Sequence, residues 1–145
     1  MLDLMLDPRE LCLTFLAKPD GTRCVLGHLA WYAGIPYDRL EGLSWLRQLS
    51  VADHNMFFEH VPSARGLGDE AIEILDANLT RASDHFTQAM MWWRRYPDDL
   101  DDDLKCKDSA HIFFKDLKDT LASIDVNLVL VSFLSPIRTQ LAIEV

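Results

Sequence analysis

A chain of 145 residues is the size of one domain, and its 49% apolar and 26% charged residues supply enough core to exclude intrinsic disorder. Its net charge of −9 gives no attraction to phosphate backbones or anionic membranes, so direct nucleic-acid and membrane binding are not expected. Cys12, Cys24 and Cys106 are odd in number and contain no CxxC, which excludes a disulfide framework and a zinc knuckle and points to free thiols in a reducing cytoplasm.

The first residues, Met-Leu-Asp-Leu-Met-Leu-Asp, carry Asp3 and Asp7 and no basic segment, so they do not read as a signal peptide. Asp7-Pro8-Arg9-Glu10 is a helix-start signature, with Asp7 as cap, Pro8 in the first turn and Glu10 closing a capping box. That helix is expected to carry Leu11, Leu13, Phe15 and Leu16 inward and to stop before Pro19, where Pro19-Asp20-Gly21 turns the chain. Thr22 caps a second helix over 23–33, ended by Gly34 and Pro36. Short helical stretches follow around 37–41 and from Leu43. Ser50, with Asp53 three residues on, opens another helix that directs Met56, Phe57 and Val61 inward and ends at Pro62. Residues 63–68, with two glycines, read as a surface loop.

Asp69 and Glu70 then open a long helix, 69–96, closed by Arg94, Arg95 and Pro97. Ile72, Leu75, Leu79, Ala82, Phe86, Ala89 and Trp93 recur at alternating three- and four-residue steps along it. That spacing keeps one seam against a single partner face, in the same chain or in a second copy, so a homodimer is one expectation. At 1.5 Å per residue the helix would be roughly 40 Å long. A loop of five aspartates in 98–103 follows. Asp108 or Ser109 caps a last helix with Ile112, Phe113, Leu117, Leu121 and Ile124 on its apolar face. Leu128-Val129-Leu130-Val131-Ser132-Phe133-Leu134 fits a buried strand or a buried helix; in so helical a chain, helix is preferred. A strand there would need Leu141-Ala142-Ile143-Glu144-Val145 or a second copy to pair with. The expected fold is all-α: a single domain, 1–145, of five to seven helices bundled around one long central helix, with room for a short C-terminal β element.

No HExxH, facing Glu-x-x-His pair, phosphate-binding glycine loop or GxSxG elbow is present, so no metal and no cofactor are expected. The histidines are His28, His54, His60, His85 and His111, and only Asp108 and His111 form an acid–histidine pair at helix spacing. Arg23-Cys24-Val25-Leu26-Gly27, followed by Ala33-Gly34-Ile35, resembles the cysteine-bearing helix of NlpC/P60-type papain-like hydrolases. The resemblance implies a nucleophile, Cys24, at a helix N-terminus and a downstream histidine, for which His111 is the candidate. Arg23 and Val25 stand where that family usually has Asp and Ser.

Two surface features favour binding over chemistry. Met90-Met91-Trp92-Trp93-Arg94-Arg95-Tyr96 contains too many consecutive large residues for one core face, and Trp92, Trp93, Arg94, Arg95 and Tyr96 are interface types. Asp98, Asp99, Asp101, Asp102 and Asp103 could imitate a phosphate backbone toward a basic groove of a nucleic-acid-processing protein. The function expected first is therefore a non-catalytic, acidic interaction module that binds and blocks or bridges a partner protein. In size and charge it resembles phage- or mobile-element-type inhibitors such as anti-CRISPR or immunity proteins. A cysteine hydrolase using Cys24 and His111 is one alternative. A small-ligand-binding helical domain, its pocket lined by Trp31, Trp45 and Phe58, is another.

Overall fold

A computed structural model describes residues 2–7, 10–95 and 112–130, with the backbone alone over 90–95 and at 130. About 60% of it is helical. The fold is mostly helical but not all-α, because a parallel two-stranded sheet joins the two ends of the described chain. Strand β1, Leu2–Leu6, pairs with β2, Val126–Leu130, in the register Leu2↔Val126, Leu4↔Leu128, Leu6↔Leu130. Leu2-Asp3-Leu4-Met5-Leu6 alternates with the period of a strand, and Leu4 and Leu6 turn inward and are fully buried, as Val126 and Leu128 nearly are. The preference for helix at 128–134 is thus overturned over 128–130, and 131–134 lie outside the described residues. The partner is the N-terminus rather than 141–145, a segment outside the described residues.

The helix expected before Pro19 does not form. Residues 10–24 run as an irregular loop whose backbone bonds to distant partners. Cys12 N–H donates to the Arg23 carbonyl (3.1 Å), Leu16 N–H to the Leu43 carbonyl (2.6 Å), and Gly42 N–H to the Ala17 carbonyl (3.1 Å). Thr14 sits at a φ of 77°, where a right-handed helix cannot continue. Leu11, Leu16 and Ala17 are delivered to the core by this path.

Helix α1, Val25–Tyr32, is capped by Cys24 rather than Thr22, and is followed by Gly34 at a φ of 97°. Val25 through Ala30 are all buried, the polar His28 among them, so the rest of the fold encloses α1 up to the exposed Trp31. Helix α2, Tyr37–Leu40, and a 3-10 turn, Leu46–Gln48, lead to α3, Val51–His60, whose first turn is closed by Asp53 N–H donating to Ser50 Oγ (3.1 Å). The stretch 63–68 is not an open loop. Pro62–Leu67 winds as a 3-10 helix before Gly68 reverses the chain.

Helix α4, Ala71–Arg95, is the long helix expected. Ile72, Leu75, Leu79, Ala82, Phe86 and Ala89 of its seam are all buried, while Glu73, Ala77, Asn78, Arg81, His85 and Gln88 are exposed. It is a one-sided surface helix laid along α1 and the turns Leu46–Gln48 and Pro62–Leu67, which corrects the picture of a bundle around it. The chain is also helical over 112–122, here α5, which packs Phe114 against Phe86 with ring centroids 5.8 Å apart. Phe114, Leu117, Leu121 and Ile124 are its buried face, and Ile112 points out.

Candidate functional site

Cys24 stands where the hydrolase resemblance requires, at the N-terminus of a helix, but its chemistry is different. Its Sγ accepts the Gly27 N–H (3.4 Å), which makes it the side-chain cap of α1. Burial pushes the thiol up to about 12 despite that hydrogen bond, with nearby Cys12 adding to the rise. Cys12 is itself raised by burial. A thiol so buried stays protonated near neutral pH, and the thiolate is the nucleophilic form.

The imidazole nearest to Cys24 in sequence is also committed. His28 Nδ1 donates to the Cys24 carbonyl (3.1 Å), which leaves Nε2 as the acceptor facing Arg23 Nη2 (3.5 Å). Burial first, and the Arg23 charge second, lower His28 to about 4, so the ring is neutral at physiological pH. Arg23 also donates to Glu10 Oε2 (3.2 Å) and the Gly21 carbonyl (3.2 Å), and lies 4.4 Å over the Trp31 ring. Glu10, Arg23, His28 and Trp31 form a clamp that holds the 10–24 loop on α1. His111, the expected catalytic partner, lies outside the described residues.

Two aspartates have comparable structural duties. Asp76 is buried on α4, with Oδ1 accepting Leu46 N–H (2.7 Å) and Oδ2 accepting Arg47 N–H (3.1 Å); burial raises its carboxyl above the usual range. Asp53 is buried on α3 and takes an ion pair from the half-exposed Arg39.

Trp31 and Trp45 do not join Phe58 in the lining of its cleft. Trp31 packs on Arg23 and edge-on to Tyr32, and Trp45 packs under Arg47, 4.6 Å from its ring centroid. Phe58 alone of the three reaches a cleft, of about 400 Å³, between α3, the turn Pro62–Leu67 and the start of α4. His54, Arg65, Gly68, Asp69, Ile72 and Glu73 complete its lining. His54 Nε2 donates to the Leu46 carbonyl (2.7 Å), fixing the ring, and the Arg65 guanidinium lies 4.6 Å over Phe58. Sequence reasoning found Phe58 but not its neighbours. The signal it passed over is the clustering of Arg65, Asp69 and Glu73 around Gly68, because 63–68 was read as an open loop.

Trp92, Trp93, Arg94 and Arg95 fall on the last backbone turns of α4, and their side chains, like Tyr96 and the aspartates at 98, 99 and 101–103, lie outside the described residues. Among the described residues no group of three or more His, Cys, Asp or Glu side chains could hold a metal ion, and no helix is long and apolar enough to cross a membrane. Comparison with protein-family models, with curated proteins and with solved structures gives no match.

Proposed function

We propose that the protein acts by binding a partner protein, with no covalent chemistry, as an acidic module that blocks or bridges its target. The observation that carries this is the use made of the reactive side chains. Cys24 caps a helix with its thiol held at about 12, His28 is neutral and spent on Arg23, and Asp53 and Asp76 hold backbone and side-chain partners inside the fold. The net charge of −9 and the types gathered in 92–103 supply the surface, and a basic groove of a nucleic-acid-processing protein is the complementary target. Buried free thiols at Cys12 and Cys24 support a cytoplasmic setting. The likeness in size and charge to phage- or mobile-element-type inhibitors belongs to the same reading.

Affinity capture from a lysate of the encoding cell tests it, run at low and moderate salt beside a variant with the aspartates at 98, 99 and 101–103 replaced by alanine. One stoichiometric partner, lost with salt and in the variant, is the expected result. A partner retained equally by the variant would remove the acidic run from the reading, and an empty capture at both salts would overturn it.

The cleft at Phe58 favours a second reading, a small-ligand site. Its volume lies within the roughly 300–1,000 Å³ common for such sites, and it holds charged side chains of both signs. A ligand specific to the native state would raise the melting temperature, and the rise would keep growing with the logarithm of ligand concentration above its Kd.

A further inference from the structure

The cleft has an apolar floor and oppositely charged walls. Phe58 and Ile72 form the floor. Arg65 stands on the side of the turn Pro62–Leu67, Asp69 in the turn that precedes α4, and Glu73 in the first turn of α4. All three charged residues are exposed, and none lies within ion-pair distance of another. A cation and two carboxylates thus line one cleft with no ion-pair contact between them.

The position of Arg65 has a chemical consequence. Its guanidinium carbon lies 4.6 Å from the Phe58 ring centroid, a cation–π contact that uses none of its N–H groups as a hydrogen-bond donor. The in-plane N–H donors are left for a planar acceptor, and a carboxylate matches their fork with two parallel hydrogen bonds. Asp69 and Glu73 offer acceptor oxygens to a compact cation with several donors, which describes an ammonium group. A ligand that satisfies both walls at once carries a carboxylate and an ammonium, and one that covers the floor also carries an apolar side chain.

We infer that this cleft binds a small zwitterion of the free α-amino-acid class. The carboxylate meets Arg65, the ammonium meets Asp69 and Glu73, and an apolar side chain lies against the parts of Phe58 and Ile72 that Arg65 leaves uncovered. The inference rests on the reading of the cleft as a ligand site and adds the class of ligand. Neither a simple anion nor a simple cation satisfies the cleft, since each leaves one wall facing a like charge.

The test is a titration of the isotope-labelled full chain followed by amide chemical shifts, using leucine, methionine and phenylalanine as probes. N-acetyl-leucine, which keeps only the carboxylate, and leucinamide, which keeps only the ammonium, are the controls. The expected result is saturable shifts confined to amides around 54–58 and 65–73 with the free amino acids, and binding at least about tenfold weaker for each control, the loss of one charge-assisted hydrogen-bond set. Arg65→Gln and Glu73→Gln, both at exposed positions, should each weaken leucine binding by about the same factor, with the melting temperature unchanged for Glu73→Gln and lowered by no more than the lost contact with Phe58 for Arg65→Gln. Equal binding of leucine and either control would overturn the zwitterion while leaving the cleft a ligand site. No shift there with any of the five compounds would overturn both.

Discussion

His28 is the residue whose burial has the plainest consequence in solution. Its folded-state value is lowered from 6.5 to about 4, by burial and by Arg23, so between those two pH values the unfolded chain takes up a proton that the folded chain refuses. The associated stability is fully present above pH 6.5 and is lost as pH falls to 4, and the shift is worth about 3 kcal/mol. Denaturant melts at pH 7.5, 6 and 5 should show this decline, and His28→Asn, which cannot titrate, should flatten most of it. A wild-type profile that is level across the window would contradict the neutral, buried ring. Cys24 makes the complementary prediction. With its thiol at about 12, on the order of one molecule in ten thousand or fewer is thiolate at pH 7.5, so iodoacetamide should modify it only after unfolding. Peptide mapping separates Cys24 from Cys12 and Cys106. Cys24→Ser should preserve stability because serine caps as well, whereas Cys24→Ala should cost roughly 1 kcal/mol for the lost cap. Fast alkylation of the folded chain would restore the nucleophile reading.

At the scale of elements, α1 and the 10–24 loop are fitted through a single missing side chain. A Cβ on Gly27 would lie 1.7 Å from the Leu16 carbonyl oxygen, against backbone that is itself held by Leu16 N–H bonding to the Leu43 carbonyl. Helix propensity alone favours alanine over glycine by up to about 1 kcal/mol, so an isolated helix would gain from the exchange. Inside this fold the contact decides the sign. Gly27→Ala should destabilise by about 3 kcal/mol or more, since the clash is with backbone and no side-chain rotation relieves it. Thermal melts of the purified variant give the measurement, and a neutral or stabilised variant would show that the loop does not sit on α1 as described. Gly27, one of the residues in the stretch that resembles NlpC/P60-type hydrolases, thus has a packing cause.

Across the whole molecule, what was legible in the sequence was whatever its local pattern sufficed to fix. The seam from Ile72 to Ala89, the Ser50–Asp53 start of α3 and the stop at Gly34 each depend on residues within a few positions of one another. The sheet was not legible, although Leu2-Asp3-Leu4-Met5-Leu6 carries the period of a strand, because its partner is remote: Asp3 and Asn127, which share a hydrogen bond of 3.2 Å, are 124 residues apart. The 10–24 loop was misread for a related reason, its capping signature being local and its actual hydrogen bonds running to Leu43 and Gly42. The cleft combines both situations, for Phe58 comes from α3 while Arg65, Asp69 and Glu73 converge only through the turn Pro62–Leu67. If the β1–β2 pair does join the ends of the described chain, Leu4 and Leu128 should be energetically coupled despite their separation, for they face each other in register and both are buried. Leu4→Ala and Leu128→Ala should each cost about 2–4 kcal/mol. The double variant should lose less than the sum by about 0.5–1 kcal/mol, because the first truncation already removes the contact that the second would remove. Strict additivity in denaturant melts would mean that the two strands are not neighbours, and the parallel sheet would have to be abandoned.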